Sequence, residues 1–177
     1  MFSLRTTAYH GTDEKAKESI QKNGFRCSED DLTKIGRCGS GAYFWKYIPD
    51  HEDVCEKLAF GFVHRNSESK NCVAWCIKVE INVEDDKFLD FNDDFLKGRV
   101  LSVCARFGKN DRVFTGKVYN LVLEELEQEL GFKILAYEVP VKPPKSCDFP
   151  IGLIGMPNCI VVREKSVIKI IGCKSEV

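Results

Sequence analysis

The chain has 177 residues, of which 44% are apolar and 30% charged, with a net charge of −1. This is enough for one continuous core without staples, so residues 1–177 are expected to form a single domain. The near-zero charge and a pI of about 6.3 leave no basic footprint of the kind that dedicated nucleic-acid binders carry. The apolar runs are far too short to cross a bilayer, so no membrane partner is expected.

Nine cysteines are scattered along the sequence, an odd number with no CxxC pair. The opening residues run into a strand pattern instead of a leader, which points to a reduced, cytoplasmic chain. Cys72 and Cys76 flank a strand-like run without the second pair or histidines that zinc needs, so no metal is expected.

In chain order, 2–9 is an apolar, β-prone run ending on His10-Gly11-Thr12. Residues 13–23 read as a short helix, with Thr12 or Asp13 as N-cap, Lys22 late and Gly24 as the stop. Ala16 and Ile20 share one face of it. A brief extended piece (25–27) and a polar loop lead to Gly36-Arg37-Cys38-Gly39-Ser40-Gly41, after which 42–46 is a strand. Residues 51–65 fit a helix carrying Val54, Leu58, Phe60 and Phe62. Residues 71–82 alternate and are rich in β-branched types, which makes them a central strand. A shorter strand at 87–91 precedes two helices, 93–107 and 112–130. Residues 132–139 form a strand, 141–157 a four-proline loop, and 159–163 and 167–171 the closing strands. Strands and helices do not alternate regularly, so the fold class is α+β. The Gly36-x-x-Gly39-x-Gly41 run precedes a strand, which removes the helix N-terminus that a Rossmann phosphate site requires.

Two stretches carry the candidate chemistry. At His10-Gly11 an imidazole and a backbone without a side chain sit where a strand leaves the sheet, so a flat ligand has room on the glycine. The glycine loop then brings its backbone close to a ligand and presents Tyr43. The ordinary alternatives are plain: a histidine at a strand end is by default a packing group, and Tyr43, Phe44 and Trp45 are by default core, sent to alternate faces. Phe60 and Phe62 are by default core as well. The Glu124–Glu129 end of the 112–130 helix reads as a solvated face, and Cys38 as an inert thiol beside Arg37.

The order His10-Gly11-Thr12, helix, Gly24-Phe25, Gly36-Arg37, Gly41-Ala42-Tyr43-Phe44 resembles the catalytic domain of ADP-ribosyltransferases of the diphtheria-toxin and poly(ADP-ribose) polymerase type. Those enzymes carry a strand-borne H-G-[ST] and a later G-x-G-x-Y-F. The likeness covers residues 8–62, and Asn158-Cys159-Ile160-Val161-Val162 resembles the last motif of the family, an E-x-I-V strand. The resemblance implies a split β-sheet core flanked by helices and NAD as substrate. It implies that His10 holds the nicotinamide-side ribose, that the Gly11 backbone binds the carboxamide and that Tyr43 packs on the nicotinamide ring. Phe60 or Phe62 would close the sandwich, with Thr12 and Arg37 as neighbours, Arg37 toward the pyrophosphate. Loosening an N-glycosidic bond builds positive charge on the ribose, so such a site must hold the ring flat and shield the cation.

This chain departs from the family at Asn158, where a glutamate is usual. An amide hydrogen-bonds a ribose but neither takes a proton nor neutralises a cation, so polymer elongation is not expected. Glu164 would replace it only if a turn brought it back across about 20 Å of strand. The resemblance therefore leaves two readings: a mono-ADP-ribosyltransferase, in the manner of toxin or defence effectors, acting on a protein or nucleic-acid acceptor with protein slightly ahead; or a catalytically inactive module that binds NAD or ADP-ribose.

Overall fold

A computed structural model describes residues 3–27, 35–65, 72–107 and 112–176. The elements run β1 (Ser3–Asp13), α1 (Glu14–Asn23), β2 (Ala42–Lys46), α2 (Glu52–Val63), β3 (Ala74–Glu84), β4 (Phe88–Asp90), α3 (Asp94–Phe107), α4 (Arg112–Leu130), β5 (Ala136–Pro140), α5 (Ile151–Ile154), β6 (Asn158–Val162) and β7 (Ile168–Ser175). The result is an α+β fold: one mixed seven-stranded sheet, ordered β4-β5-β6-β2-β1-β3-β7, with helices against it.

Local chemistry sets most boundaries. Asp13 caps α1 by accepting the Ala16 N–H at 2.7 Å, and Gly24 ends it with a φ of 77°. The first strand outruns its expected end by four residues, because β3 pairs with it from Ser3 to Asp13 and carries His10-Gly11-Thr12 into the ladder. The 141–157 segment is not all loop: α5 is a single turn after Pro150, and its residues Leu153 and Ile154 are exposed. The 28–34 part of the polar loop and residues 66–71 lie outside the described residues.

Alternation along the strands divides the core in two. One face carries Tyr9, Trp45, Cys76, Tyr137, Cys159 and Val161 with Cys55, Leu58 and Ala59 of α2 and Val118 and Val122 of α4. The other carries Ala8, Ala42, Phe44, Ile77, Ile160 and Val162, closed by Phe25. Tyr43 thus belongs with Trp45, and Phe44 turns the opposite way, as a two-residue repeat dictates.

The pairings are uneven. β1 follows β3 along its whole length, and β2 follows β6 from Ala42 to Trp45. Between β1 and β2 only Ala8–Lys46 and Tyr9–Trp45 are in register, extended by the Tyr47 N–H on the Thr7 carbonyl at 3.0 Å. Beyond Tyr9 the two strands part, so β1-β3-β7 and β2-β6-β5-β4 form two leaves joined by a short hinge of ladder.

α2 lies directly on β1 at Gly11. A Cβ built there would stand 1.8 Å from the Ala59 carbonyl oxygen, a backbone atom of a buried helix turn with no room to yield. Gly11→Ala is therefore expected to cost about 1–3 kcal/mol or more by overpacking. Gly98→Ala on exposed α3, where a Cβ meets nothing within 4 Å, should gain about 0.5–1 kcal/mol by helix propensity. Urea denaturation of both variants checks the pair; equal midpoints would refute the close approach.

Candidate functional site

The site expected from the sequence falls at the fork between β1 and β2. Thr7 turns its carbonyl toward β2, so by the two-residue repeat Tyr9 and Gly11 turn their N–H and C=O the same way. Continued ladder would bring Tyr43 opposite Gly11 and give the Tyr43 carbonyl to the Gly11 N–H. Instead the His10 ring takes that carbonyl: Nδ1 lies 2.8 Å from it. A carbonyl only accepts, so Nδ1 carries the proton and the tautomer leaves Nε2 as the lone-pair nitrogen. Gly11 is left facing a stretch of β2 that has left the ladder.

The imidazole is wedged between aromatic rings. It meets Phe25 edge-on at a centroid distance of 5.2 Å and lies 5.5 Å from Phe44. Burial in this apolar setting holds its pKa below the ordinary 6.5, partly opposed by the bond to Tyr43. His10 is therefore a neutral hydrogen-bonding group at neutral pH, not a cation.

Tyr43 stands on the other face. Its hydroxyl donates to the Gly39 carbonyl at 2.5 Å and accepts from the Cys38 N–H at 3.1 Å. Burial is the main force holding its phenol well above the ordinary value. His10 and Tyr43 thus meet through the Tyr43 carbonyl and not through their side-chain tips. The face of Gly11 expected to receive a flat ligand is covered by Ala59; the open feature is its main-chain edge.

The glycine loop is a clamped structure. Ser40 and Asn120 of α4 bond reciprocally, Ser40 N–H to Oδ1 and Nδ2 to the Ser40 hydroxyl, each at 2.9 Å. Tyr137 donates its hydroxyl to the Cys38 carbonyl at 2.6 Å. Gly39 takes a φ of 103°, which only glycine adopts without strain. Buried Cys38 has its thiol pushed up to about 11 by desolvation, with Arg37 pulling it back, so it is no nucleophile.

The remaining residues divide. Thr12 is buried on β1 opposite Trp75. Phe60 packs against the core of its face. Phe62 is half-buried, with the Arg65 guanidinium over its ring at 3.9 Å. Arg65 is held below the usual guanidinium value first by burial and then by the charge of Arg37. These two arginines therefore share one region at the end of α2. Arg65 went unnoticed in the sequence, although its place three residues after Phe62 on one helical turn was a usable signal.

Asn158 opens β6 opposite Lys46 by register and shares the His10 face of the sheet. It lies two strands and two residues from His10, at least about 12 Å, since β1 and β2 have already parted there. Its Nδ2 donates to Oε1 of Glu138 at 2.5 Å. Glu138, a lone carboxylate in an apolar strand and 3% exposed, binds Lys46 Nζ through Oε2 at 2.6 Å. Glu164 caps the turn after β6 by accepting the Ser166 N–H and stays there, exposed.

A cavity of about 190 Å³ lies between α2, β3 and β7, with Tyr9 of β1 in its lining. Its charges are spent on each other: Lys78 with Glu52 at 2.7 Å and Lys174 with Glu56 at 2.6 Å. Among the described residues no group of three or more His, Cys, Asp or Glu is arranged to hold a metal, and no helix is long and apolar enough to cross a membrane.

No family model matches this sequence, and no curated protein matches it. Among solved structures, a chain of the M. tuberculosis MbcT–MbcA toxin–antitoxin complex is similar in fold. It is 10% identical, with a TM-score of 0.49, and the likeness covers 98% of this chain and 85% of that one.

The depressed pKa of His10 makes a prediction with a definite sign. The folded state resists protonation, so stability from this group is complete above the unfolded value of 6.5 and is lost as pH falls through it. The His10 ring should titrate by NMR below 6.5. Replacing it with Gln should flatten the loss of stability as pH falls below 6.5. A midpoint at or above 6.5 would refute the half-buried, neutral assignment.

Proposed function

We propose that the chain is an NAD-dependent mono-ADP-ribosyltransferase whose nicotinamide subsite is the fork between β1 and β2. The observation that carries this reading is the main-chain edge of Gly11. One N–H and one C=O, side by side and released from the ladder, match the acceptor and donor of a carboxamide.

His10, fixed by Tyr43 in the Nδ1–H tautomer, offers Nε2 to a ribose hydroxyl as an acceptor. Tyr43 walls the fork on the α2 side, with its ring held by the glycine loop, and Thr12 continues the β1 edge. Phe62 lies along the same helix, and Arg37 with Arg65 provides the two positive charges that a diphosphate requires. Asn158 accepts from the ribose without supplying charge. Withdrawal of nicotinamide leaves a cation at the ribose carbon, which the acceptor's nucleophile then captures. A single transfer fits a site whose third residue is an amide. With a net charge of −1 the acceptor is taken to be a protein ahead of a nucleic acid.

Incubation of the purified chain with labelled NAD and cell extract tests this directly. The expected result is free nicotinamide with label fixed on macromolecules, removable by protease and not by nuclease. His10→Ala should reduce the rate by about tenfold or more, the scale of one lost positioning contact. Saturable NAD binding without nicotinamide release would favour the inactive binding module. Neither binding nor release would overturn the fork as a nicotinamide subsite.

A further inference from the structure

Asn158 is one link in a hydrogen-bond chain whose donors all converge on Glu138. Asn92 Nδ2 donates to Asn158 Oδ1 at 3.4 Å, Asn158 Nδ2 donates to Glu138 Oε1 at 2.5 Å, and Lys46 Nζ closes on Glu138 Oε2 at 2.6 Å. A carboxylate paired with an ammonium has only acceptors to offer. The atom of residue 158 that faces it must therefore be the NH₂, which turns Oδ1 away from the core toward Asn92. Glu138 itself is buried and Asn158 half-buried, so the oxygen, beside Asn92 at 3.4 Å, is the end of the amide directed away from the buried carboxylate, with a second lone pair to offer.

We propose that Glu138 is a positioning residue: it locks the Asn158 amide with nitrogen inward and oxygen outward, so that position 158 presents an acceptor to a ribose hydroxyl. An unrestrained asparagine flips at little cost and would present a donor half of the time. The buried carboxylate removes that choice. This proposal rests on the transferase reading for the identity of the ligand, but the orientation of the amide does not.

The logic predicts a swap. In Glu138→Gln, Lys46 keeps the remaining side-chain oxygen, and the new NH₂ at position 138 confronts the Asn158 NH₂. The Asn158 amide must then turn over and show its nitrogen outward. Nicotinamide release from NAD should fall by about tenfold or more, mainly in kcat. Adding Asn158→Asp gives that new NH₂ an acceptor and leaves the second carboxylate oxygen outward, so the double variant should recover to within a few-fold of the starting rate. A purely structural role for Glu138 predicts no recovery. Full activity in Glu138→Gln, or a folded double variant no faster than that single variant, overturns the proposal.

NMR of the unsubstituted chain gives a second readout that needs no turnover and no variant. The Asn158 side-chain NH₂ protons should be protected from solvent exchange by their buried acceptor. Rapid exchange would overturn the orientation. A chain with protected protons that cleaves no NAD would leave the orientation standing and remove the transferase reading.

Discussion

Everything at the fork depends on one hydrogen bond, from His10 Nδ1 to the Tyr43 carbonyl. Two adjacent antiparallel strands gain by pairing along their whole length, and separating them leaves backbone groups to be satisfied in other ways. Here the imidazole does part of that work by taking the carbonyl that the Gly11 N–H would otherwise bind. The net worth of such a bond is only about 0.5–1.5 kcal/mol. Its structural effect is larger, because the ring that takes the carbonyl is itself held in place by Phe25 and Phe44 on the same face of the sheet. The same group that takes the carbonyl is therefore also placed beside the edge that it exposes.

The rest of the fold keeps each leaf rigid. β1 is fixed by β3 along one side and by α2 pressed onto Gly11. β2 is fixed by β6, while the loop before it is tied to α4 and β5 through Asn120 and Tyr137. With both leaves anchored independently, the fork stays at a set width, as a preorganised site requires. The clamp on the glycine loop also explains why the Tyr43 hydroxyl has no freedom to reach a ligand: both its donor and one acceptor direction are committed to the loop.

Much of the chain was legible because its signals were local. Asp13 and Gly24 bracketed α1, alternation marked β2 and β3, and the irregular strand order excluded a doubly wound sheet. What stayed hidden depended on register between distant segments. Nothing in Thr6-Thr7-Ala8-Tyr9 says that β2 will leave the ladder after Tyr9, since that follows from where β6 holds β2. Gly11 read as an open surface because a glycine that admits a ligand and one that admits a helix look alike in sequence; Ala59 decides between them. Glu138 sits in a run of apolar residues 20 positions from Asn158, and only the β5–β6 pairing brings the two together.

Under the transferase reading, that last pairing bears on how a neutral residue would serve where the family resemblance implies a carboxylate. An amide backed by a buried carboxylate is polarised by it, because bonds in a chain strengthen one another in a low-dielectric setting. The outward oxygen of Asn158 gains some of the acceptor strength of a carboxylate without becoming a base. Lys46 neutralises Glu138, so little net negative charge reaches the fork, three strands and at least about 14 Å away. Under the transferase reading, the developing cation must then be met by the acceptor itself, either with a side chain that is already anionic or with a base of its own. A site built this way selects its acceptor by chemistry as well as by shape, and an uncharged ribose hydroxyl of an earlier product is a poor candidate.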